Sequence, residues 1–595
     1  MKGYGLTVLS GQKIVRFDVE IVSVMTRWGP HQDVILANLS GLGLEKTGVI
    51  QGMSGSPCFV TDPADGKDKL IGAVAYGWLF QSAPLCGIQP ITQMIAASGI
   101  VGTGKGATTA PASQPASEAA GAAGVSPPQA YLHALLNPRK GDFAAYALPK
   151  RPADGDDSDR ASRLVPLTSP LMISGAGRNT VAQAAKLFAP LGLAAVQAGG
   201  AGTPDDARAG KLQPGSPLAV ALVSGDADIS AVGTVTDVVG ERVLGFGHSL
   251  FSDGKVQFSM APAYVHAVVA SSYSSFKLAS PFEPTGLLDR DEASGVAGSL
   301  GAKAPAVPMT VEVHWPQTGH RQTFRFRLVI DRWITAVLTN LLLYDAAWGW
   351  RNPPELHTVR HEVRIDFGAL GEYRARNVGC NIGVAHAASD VSRPLAALLN
   401  NPFDPPVAPR AIEVRLEISE QARAADVLEL ALDGATYRPG DTVTGRLTVQ
   451  PFRQARRELP VKFALPRNLP DGAYELTACD AYTAASAERN EMPHLFEPRS
   501  TAEMFAALQR VVRPDGAKLY LRLPVRADEL AVGTREMSDL PPSKAAILRQ
   551  SQPLDLFRFT RSAVRTADCE YVLNGSASAK FTVQAEPKET RLNAQ

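Results

Sequence analysis

Alternating apolar and polar residues predict β-strands over most of this chain. Near the N-terminus, Phe17, Val19 and Ile21 alternate with acidic residues, which is the period of a half-buried strand. Residues 58–60 and 70–78 read as two further strands that flank a polar turn, and 91–98 read as a short helix. The first hundred residues are therefore expected to be mainly β.

The strand pattern returns after residue 218. Strands are predicted at 218–223, 231–239 and 242–246, whereas the Gly- and Ala-rich residues 287–304 are predicted to form a loop beside a cleft. Residues 306–424 mix strands with an amphipathic helix over 334–346, which indicates an α+β region. Beyond 425, strands and turn signals recur at the spacing of an immunoglobulin-like β-sandwich. That last region would serve interaction or spacing, or structural support alone.

The amino-acid composition indicates where the chain divides into domains. Residues 102–128 are rich in Gly, Ala, Ser, Thr and Pro and are predicted to be a flexible linker, which would let two halves of one site come from distant segments. A length of 595 residues fits three to five domains. The predicted domains on either side of the linker are 1–101, 129–305, 306–424 and 425–595.

Charge and hydropathy exclude several kinds of partner. Lys and Arg number 59 and Asp and Glu number 58, so the formal charge of +1 indicates neither nucleic acid nor an anionic membrane as a partner. No run of about 18 apolar residues is present, so no transmembrane segment is predicted. No cofactor is expected either.

Cysteine and histidine spacing gives no metal site. The five cysteines contain no C-x-x-C pair. His357 and His361 are four residues apart, which would suit a metal on a helix, but the apolar residues between and after them alternate as in a strand. Cys58 and Cys86 could pair in an oxidising compartment or remain free thiols.

The segment Gly52-Met53-Ser54-Gly55-Ser56-Pro57 is the main candidate for chemistry. Glycine readily adopts the positive φ of a sharp turn, and such a turn can present a serine hydroxyl to a substrate carbonyl. The amides of Gly52 and Ser54 could then converge as an oxyanion hole. The alternative is an ordinary loop with two serines.

Two strands follow this turn, and the second ends in Tyr76-Gly77-Trp78. This arrangement resembles the second barrel of chymotrypsin-like peptidases. In those enzymes the matching strand pairs with the substrate backbone, so the resemblance implies that Tyr76, Gly77 and Trp78 bind substrate. The alternative for Tyr76 and Trp78 is packing within the barrel.

A closer resemblance is to the SpoIVB-type sporulation serine peptidases. One matching block runs from Lys2-Gly3 through Phe17-Asp18-Val19-Glu20 and Glu45 to Pro57 as far as Gly87-Ile88, and a second joins Val232 to Thr236 with Leu244-Gly245-Phe246-Gly247-His248. The resemblance implies a chymotrypsin-like double β-barrel, with Ser54 as nucleophile and His248 as general base. The two blocks stand in the reverse order here, which a triad defined by geometry tolerates.

The family's acid has no counterpart in this chain. Asn38, Leu39 and Ser40 occupy the positions just before the serine turn where that acid is found. Asp253, shortly after His248, and Asp33 are the nearest substitutes. His31 could rival His248 as the base but is expected to be a solvated loop residue.

The resemblance predicts a serine endopeptidase that acts on protein or peptide substrates outside the cytoplasm. The alternative is a non-catalytic surface or periplasmic scaffold that binds protein through the same cleft or through the β-sandwich. The sequence has no signal peptide ahead of Lys2-Gly3, where the resemblance already begins. An export segment upstream of this sequence is therefore expected.

Overall fold

A computed structural model describes residues 1–30, 32–78, 83–99, 163–200, 210–271, 274–512, 514–537, 540–551 and 555–585. The described residues form two units. One consists of residues up to 309 together with 324–350, and the other of residues 310–323 and those from 351 onward. The predicted linker 102–128 and His31 lie outside the described residues.

The strands in chain order are β1 (Lys2–Val8), β2 (Ile14–Gly29), β3 (Gln32–Ser40), β4 (Pro57–Thr61), β5 (Asp68–Gly77), β6 (Leu85–Pro90), β7 (Val165–Pro166), β8 (Ser169–Ser174), β9 (Leu193–Gln197), β10 (Pro217–Gly225), β11 (Asp228–Val239), β12 (Arg242–Gly245), β13 (Gly254–Val269), β14 (Phe276–Pro281), β15 (Gly286–Glu292), β16 (Gly295–Leu300), β17 (Ala306–Trp315), β18 (His320–Val329), β19 (Thr358–Asp366), β20 (Glu372–Cys380), β21 (Ala411–Ser419), β22 (Ala424–Leu432), β23 (Thr436–Tyr437), β24 (Thr442–Pro451), β25 (Arg457–Ala464), β26 (Gly472–Cys479), β27 (Lys518–Val532), β28 (Arg535–Glu536), β29 (Leu556–Asp568), β30 (Val572–Asn574) and β31 (Ser576–Val583). The helices are α1 (Leu44–Thr47), α2 (Ile91–Ser98), α3 (Arg178–Phe188), α4 (Ile334–Trp348), α5 (Gly383–Leu399), α6 (Ala481–Glu491), α7 (Thr501–Val511) and α8 (Pro542–Ser551).

The first unit begins with a closed barrel. Its strands pair in the order β4, β1, β2, β3, β6, β5, and the pairing of β4 with β5 closes these six strands. The alternation noted at Phe17 and Val19 directs both side chains into the barrel, where they are buried with Leu39, Ile50 and Met53. The mainly β prediction for this segment is confirmed, and closure leaves these strands without an open edge along most of their length.

A second set of strands in the same unit also pairs in a ring. Strands β10, β13, β15, β16, β12 and β11 follow one another, and β10 also pairs with β11. Strand β8 continues the sheet beyond β11, and β9 pairs with β8 in parallel. The predicted strands at 218–223, 231–239 and 242–246 all belong to this ring.

Two local predictions in this unit are wrong. Residues 287–304, predicted as a loop, contain β15 and β16, because the small residues there allow the two strands to approach their neighbours closely. The helix predicted as amphipathic at 334–346 is present as α4, but twelve of its fifteen residues are buried. A helix that is apolar on nearly all faces belongs inside a core rather than on a surface.

The second unit is also mainly β. Strand β19 lies between β20 and β21, and His361 lies on β19, so the strand predicted for this segment is confirmed. Further on, one sheet has the order β25, β24, β22, β30 and another the order β23, β31, β26, β27, β28. Side chains from both sheets share one buried cluster, which includes Leu447 from the first and Phe581 from the second. The immunoglobulin-like assignment of this region stays a prediction.

Within the described ranges, no helix combines the length and the apolar character needed to cross a membrane.

Candidate active site

The serine turn connects α1 to β4 through two glycines in the left-handed region. Gly52 has φ +91° and Gly55 has φ +93°, as expected for a turn that only glycine adopts without strain. Within the turn, the Met53 amide donates to the Ile50 carbonyl at 2.9 Å and the Ser56 amide donates to the Met53 carbonyl at 2.8 Å. Ser54 therefore has a backbone that is fixed on both sides.

Strand β11 of the second ring holds this turn from outside the first barrel. The Thr234 amide donates to the Ser54 carbonyl at 2.8 Å. The hydroxyls of Thr234 and Thr236 donate to the carbonyls of Gly52 and Gly55 at 2.9 and 2.8 Å. At about 0.5–1.5 kcal/mol for each such bond, these contacts fix the turn against the second ring.

Two amides of the turn differ from the others in having no acceptor. The amides of Met53, Gly55 and Ser56 all donate to carbonyl groups, whereas those of Gly52 and Ser54 find no acceptor among the described residues. Donors that are fixed in place but unused are what stabilisation of a developing oxyanion requires. The sequence pattern predicts the oxyanion role for these two amides, and that role stays a prediction.

The Ser54 hydroxyl is buried, and Ser54 Oγ has no hydrogen-bond partner among the described residues. A buried hydroxyl without a hydrogen-bond partner lowers the stability of the fold by about 1–3 kcal/mol and requires an explanation. Ser56 Oγ is in the same situation, so burial alone does not distinguish the two serines. Only Ser54 contributes one of the two unused amides.

His248 lies in the loop after β12, behind Phe246 and Gly247, and is buried. Its Nδ1 lies 2.9 Å from the carbonyl oxygen of Ser249. Because a carbonyl oxygen only accepts, Nδ1 carries the ring proton in the neutral imidazole, and Nε2 is left as the basic nitrogen. The ring therefore has the tautomer that a general base needs. Ser54 Oγ has no hydrogen-bond partner among the described residues, so Ser54 and His248 share no hydrogen bond in this structure.

The two candidate acids have other contacts. The carboxylate of Asp253 pairs with Arg332 at 3.2 Å. Asp33 accepts the Arg27 amide at 2.8 Å in the hairpin between β2 and β3. These contacts do not support a triad role for either residue, and the Ser249 carbonyl takes the position beside Nδ1 that a triad acid would occupy.

Asp291, which no sequence pattern singled out, supports the loop after His248. It is buried, and its two oxygens accept the amides of Leu250 and Phe251, both at 2.7 Å. Burial raises the pKa of this carboxyl to about 6. Asp291 thus anchors the two residues that follow the His248–Ser249 pair.

The predicted substrate strand lies at the end of β5. Tyr76 is buried and its hydroxyl donates to Gln89 Oε1 at 2.7 Å, so its side chain packs inside the barrel. The backbones of Tyr76 and Gly77 pair with β7, while Trp78 follows the end of β5. The side chain of Tyr76 therefore fits the packing alternative, and the backbones of Tyr76 and Gly77 are occupied by β7.

Residues 2–95 match the family model of SpoIVB peptidase S55. The match covers the first barrel, the serine turn and most of α2, and it confirms the resemblance read from the first sequence block. It indicates a serine peptidase, and it ends well before His248. The comparison with curated proteins gave no match, and neither did the comparison with solved structures.

Lys277, on β14, is a further buried residue beside the segment that matches SpoIVB peptidase S55. Its Nζ donates to Thr7 Oγ1 at 2.8 Å and to Thr234 Oγ1 at 3.2 Å, and Thr234 in turn holds Gly52. Its side-chain carbons lie 3.2–3.4 Å from where a Cβ on Gly52 would be. Burial lowers the pKa of Lys277 to about 7, because the ammonium loses its hydration.

Replacement of Lys277 by methionine is expected to change how stability depends on pH. Above pH 7 the folded protein releases this proton, while the unfolded chain keeps it until about pH 10.4, so the unfolded state binds more protons. The free energy of unfolding of the wild type should therefore rise relative to Lys277→Met by about 1.4 kcal/mol per pH unit over this window.

Urea unfolding of both proteins at several pH values between 7 and 10 measures the difference between their free energies of unfolding. The other titratable groups are the same in both proteins, so their contributions cancel in this difference. Lys255→Met, which removes an exposed lysine from neighbouring β13, controls for the loss of a positive charge. A wild-type minus Lys277→Met difference that stays constant across the window would show that Lys277 keeps its charge when buried.

Among the described residues, no group of three or more His, Cys, Asp or Glu side chains could hold a metal ion.

Cys58 and Cys86 are both buried free thiols, so the structure contains no disulfide between them. His361 Nε2 lies 2.9 Å from Asp390 Oδ2 in the second unit.

Sequence reasoning missed three residues around the SpoIVB peptidase S55 segment: Thr234, Lys277 and Asp291. Thr234 lies in the second matching block, so the block carried a signal, but nothing indicated that its hydroxyl binds the serine turn. Lys277 and Asp291 carry ordinary charged side chains in ordinary strand patterns. Only their burial makes them unusual, and burial depends on the folded chain.

Proposed function

We propose that this chain is a serine endopeptidase in which Ser54 attacks the scissile carbonyl. The observation that carries the proposal is the serine turn, whose Gly52 and Ser54 amides are fixed in place and donate to no described acceptor. Attack by Ser54 Oγ would place the developing oxyanion at these donors. The family match over residues 2–95 supports the same reaction.

His248 would act as the general base. Its Nδ1 proton faces the Ser249 carbonyl, so Nε2 is free of that proton and can accept one from Ser54. The Ser54–His248 hydrogen bond would form when substrate binds, as catalytic hydrogen bonds often tighten only in the complex. The Ser249 carbonyl would orient the ring in place of an acid, and Asp291 would hold the loop that follows.

The closed barrel and the six-stranded ring would correspond to the two barrels of a chymotrypsin-like peptidase. The serine turn comes from the first, and His248 together with the threonines that hold the turn comes from the second. Substrates would be proteins or peptides, in keeping with the family. Action outside the cytoplasm is part of the proposal and rests on the family alone.

The test is reaction of the purified protein with a fluorophosphonate probe, followed by peptide mapping of the labelled site. The probe is expected on Ser54 and not on Ser56, which is equally buried and serves as an internal control. Ser54→Ala should abolish labelling, and Ser56→Ala should retain it. A folded wild-type protein that takes no label would favour the non-catalytic scaffold.

A further inference from the structure

A short segment of the chain lies as an added strand on the end of β5. Strand β7 pairs with β5 in antiparallel register, with Pro166 opposite Tyr76 and Val165 opposite Gly77. Beyond β7, the Leu167 amide donates to the Ala75 carbonyl at 2.8 Å. Residues 165–167 thus follow the backbone of the three β5 residues that end at Gly77.

This segment lies next to the serine turn along β5. The Val74 carbonyl accepts the Gly55 amide at 2.8 Å, and the next carbonyl, that of Ala75, accepts Leu167. The Leu167 side chain packs against the buried cluster of the first barrel, which contains Ile50 and Met53 of the serine turn. Leu167 therefore packs against the same buried cluster as the serine turn and bonds to the β5 residue next to the one that holds Gly55.

The same segment reaches the loop of His248. One cavity of about 10 Å³ is lined by Pro166, Leu167 and Ser169 and also by His248 and Ser249. A volume of this size holds no more than a single water molecule, so no peptide fits there alongside the segment. On the far side, Leu164 is buried with Val34 and Tyr76, which fixes the start of the segment as well.

We propose that Val165–Leu167 occupies the peptide-binding strand of the peptidase, so that the chain holds its own substrate-like segment in the groove. This inference rests on the proposed function for its catalytic meaning. A peptide substrate would add to β5 by the same main-chain bonds once the segment has been displaced. The substrate class is then an extended peptide with a leucine-like apolar side chain at the position of Leu167.

An internal segment competes strongly with a free peptide, because its effective concentration is high and only the displaced fraction of the protein binds. Weakening the segment should therefore raise the affinity for an outside peptide. Leu167→Asp puts a charge into the apolar contact, and Leu167→Ala removes most of the side chain with less disturbance. Leu187→Asp, which changes an exposed leucine on α3 of the same unit, is the matched control.

The first measurement is fluorescence anisotropy with a fluorescein-labelled peptide, Leu-Val-Pro-Leu amide. Leu167→Asp and Leu167→Ala are expected to bind it at least about tenfold more tightly than the wild type and Leu187→Asp. A labelled Leu-Val-Pro-Asp amide should bind at least about tenfold more weakly than the leucine peptide. Equal affinities of folded Leu167→Ala and wild type for the leucine peptide would overturn the proposal.

The second measurement is the rate of fluorophosphonate labelling of Ser54 in the same variants, which should rise with peptide affinity. The two measurements separate the two proposals. Tighter peptide binding without labelling in any variant would retain the peptide-binding strand and refute catalysis. Labelling of Ser54 at one rate in all variants, with no gain in peptide affinity, would retain catalysis and refute the blocked groove.

Discussion

His248→Ala is expected to slow fluorophosphonate labelling of Ser54 by at least about a thousandfold. A serine hydroxyl is a weak nucleophile unless a base removes its proton, and the neutral His248 ring, with its proton on Nδ1 toward Ser249, is the proposed base. The oxyanion donors remain in the variant, so a small residual rate should persist. The measurement is the second-order rate constant of labelling at fixed pH.

His266→Ala is the matched control for this loss. His266 lies on β13 of the same unit, and its Nε2 contacts Ser280 Oγ at 2.9 Å. Its removal should leave the labelling rate near that of the wild type. If His248→Ala, with an unchanged unfolding temperature, labels as fast as His266→Ala, another group activates Ser54.

Gly55→Ala is expected to destabilise the first unit by more than about 4 kcal/mol or to prevent its folding. An added Cβ would lie 2.0 Å from the Thr234 carbonyl oxygen and 2.4 Å from the Phe246 nitrogen, both backbone atoms that cannot move alone. The positive φ of +93° adds strain for any side chain. The measurement is the free energy of unfolding in urea.

Gly66→Ala separates the two causes of this effect. Gly66 also has a positive φ, +66°, but a Cβ there would meet nothing within 4 Å. This control should lose only the strain component, about 1–2 kcal/mol. Similar losses for the two variants would mean that the turn and the second ring are not in the close contact described.

Much of the first barrel and of the serine turn could be predicted from the sequence because both are local features. A few neighbouring residues were enough to predict the strand at Phe17 and Val19 and the glycine turn around Ser54. The helix at 91–98 and the strand containing His361 were predicted for the same reason and are confirmed. The match to SpoIVB peptidase S55 falls within the same local block.

The rest of the site depends on contacts between distant segments, which no local pattern encodes. The local sequence of the valine-proline-leucine segment does not predict that it pairs with Tyr76, about ninety residues earlier. The burial that changes Lys277 and Asp291 arises only when several strands surround them. The prediction of a loop at the Gly- and Ala-rich residues 287–304 was wrong for a related reason. Small residues are typical of loops, but in the ring they permit tight strand packing.

The bonds between β11 and the serine turn also bear on the protein's synthesis. They join residues 182 and 181 positions apart, and Lys277 comes later still in the chain. At about 5–20 residues per second, the ribosome makes Lys277 on the order of 10 to 45 seconds after Ser54. The nascent first barrel would thus carry Ser54 without His248 and without the threonines that bind the serine turn. Under the proposed mechanism, the newly made chain would be unable to cleave neighbouring proteins until the second ring had been translated.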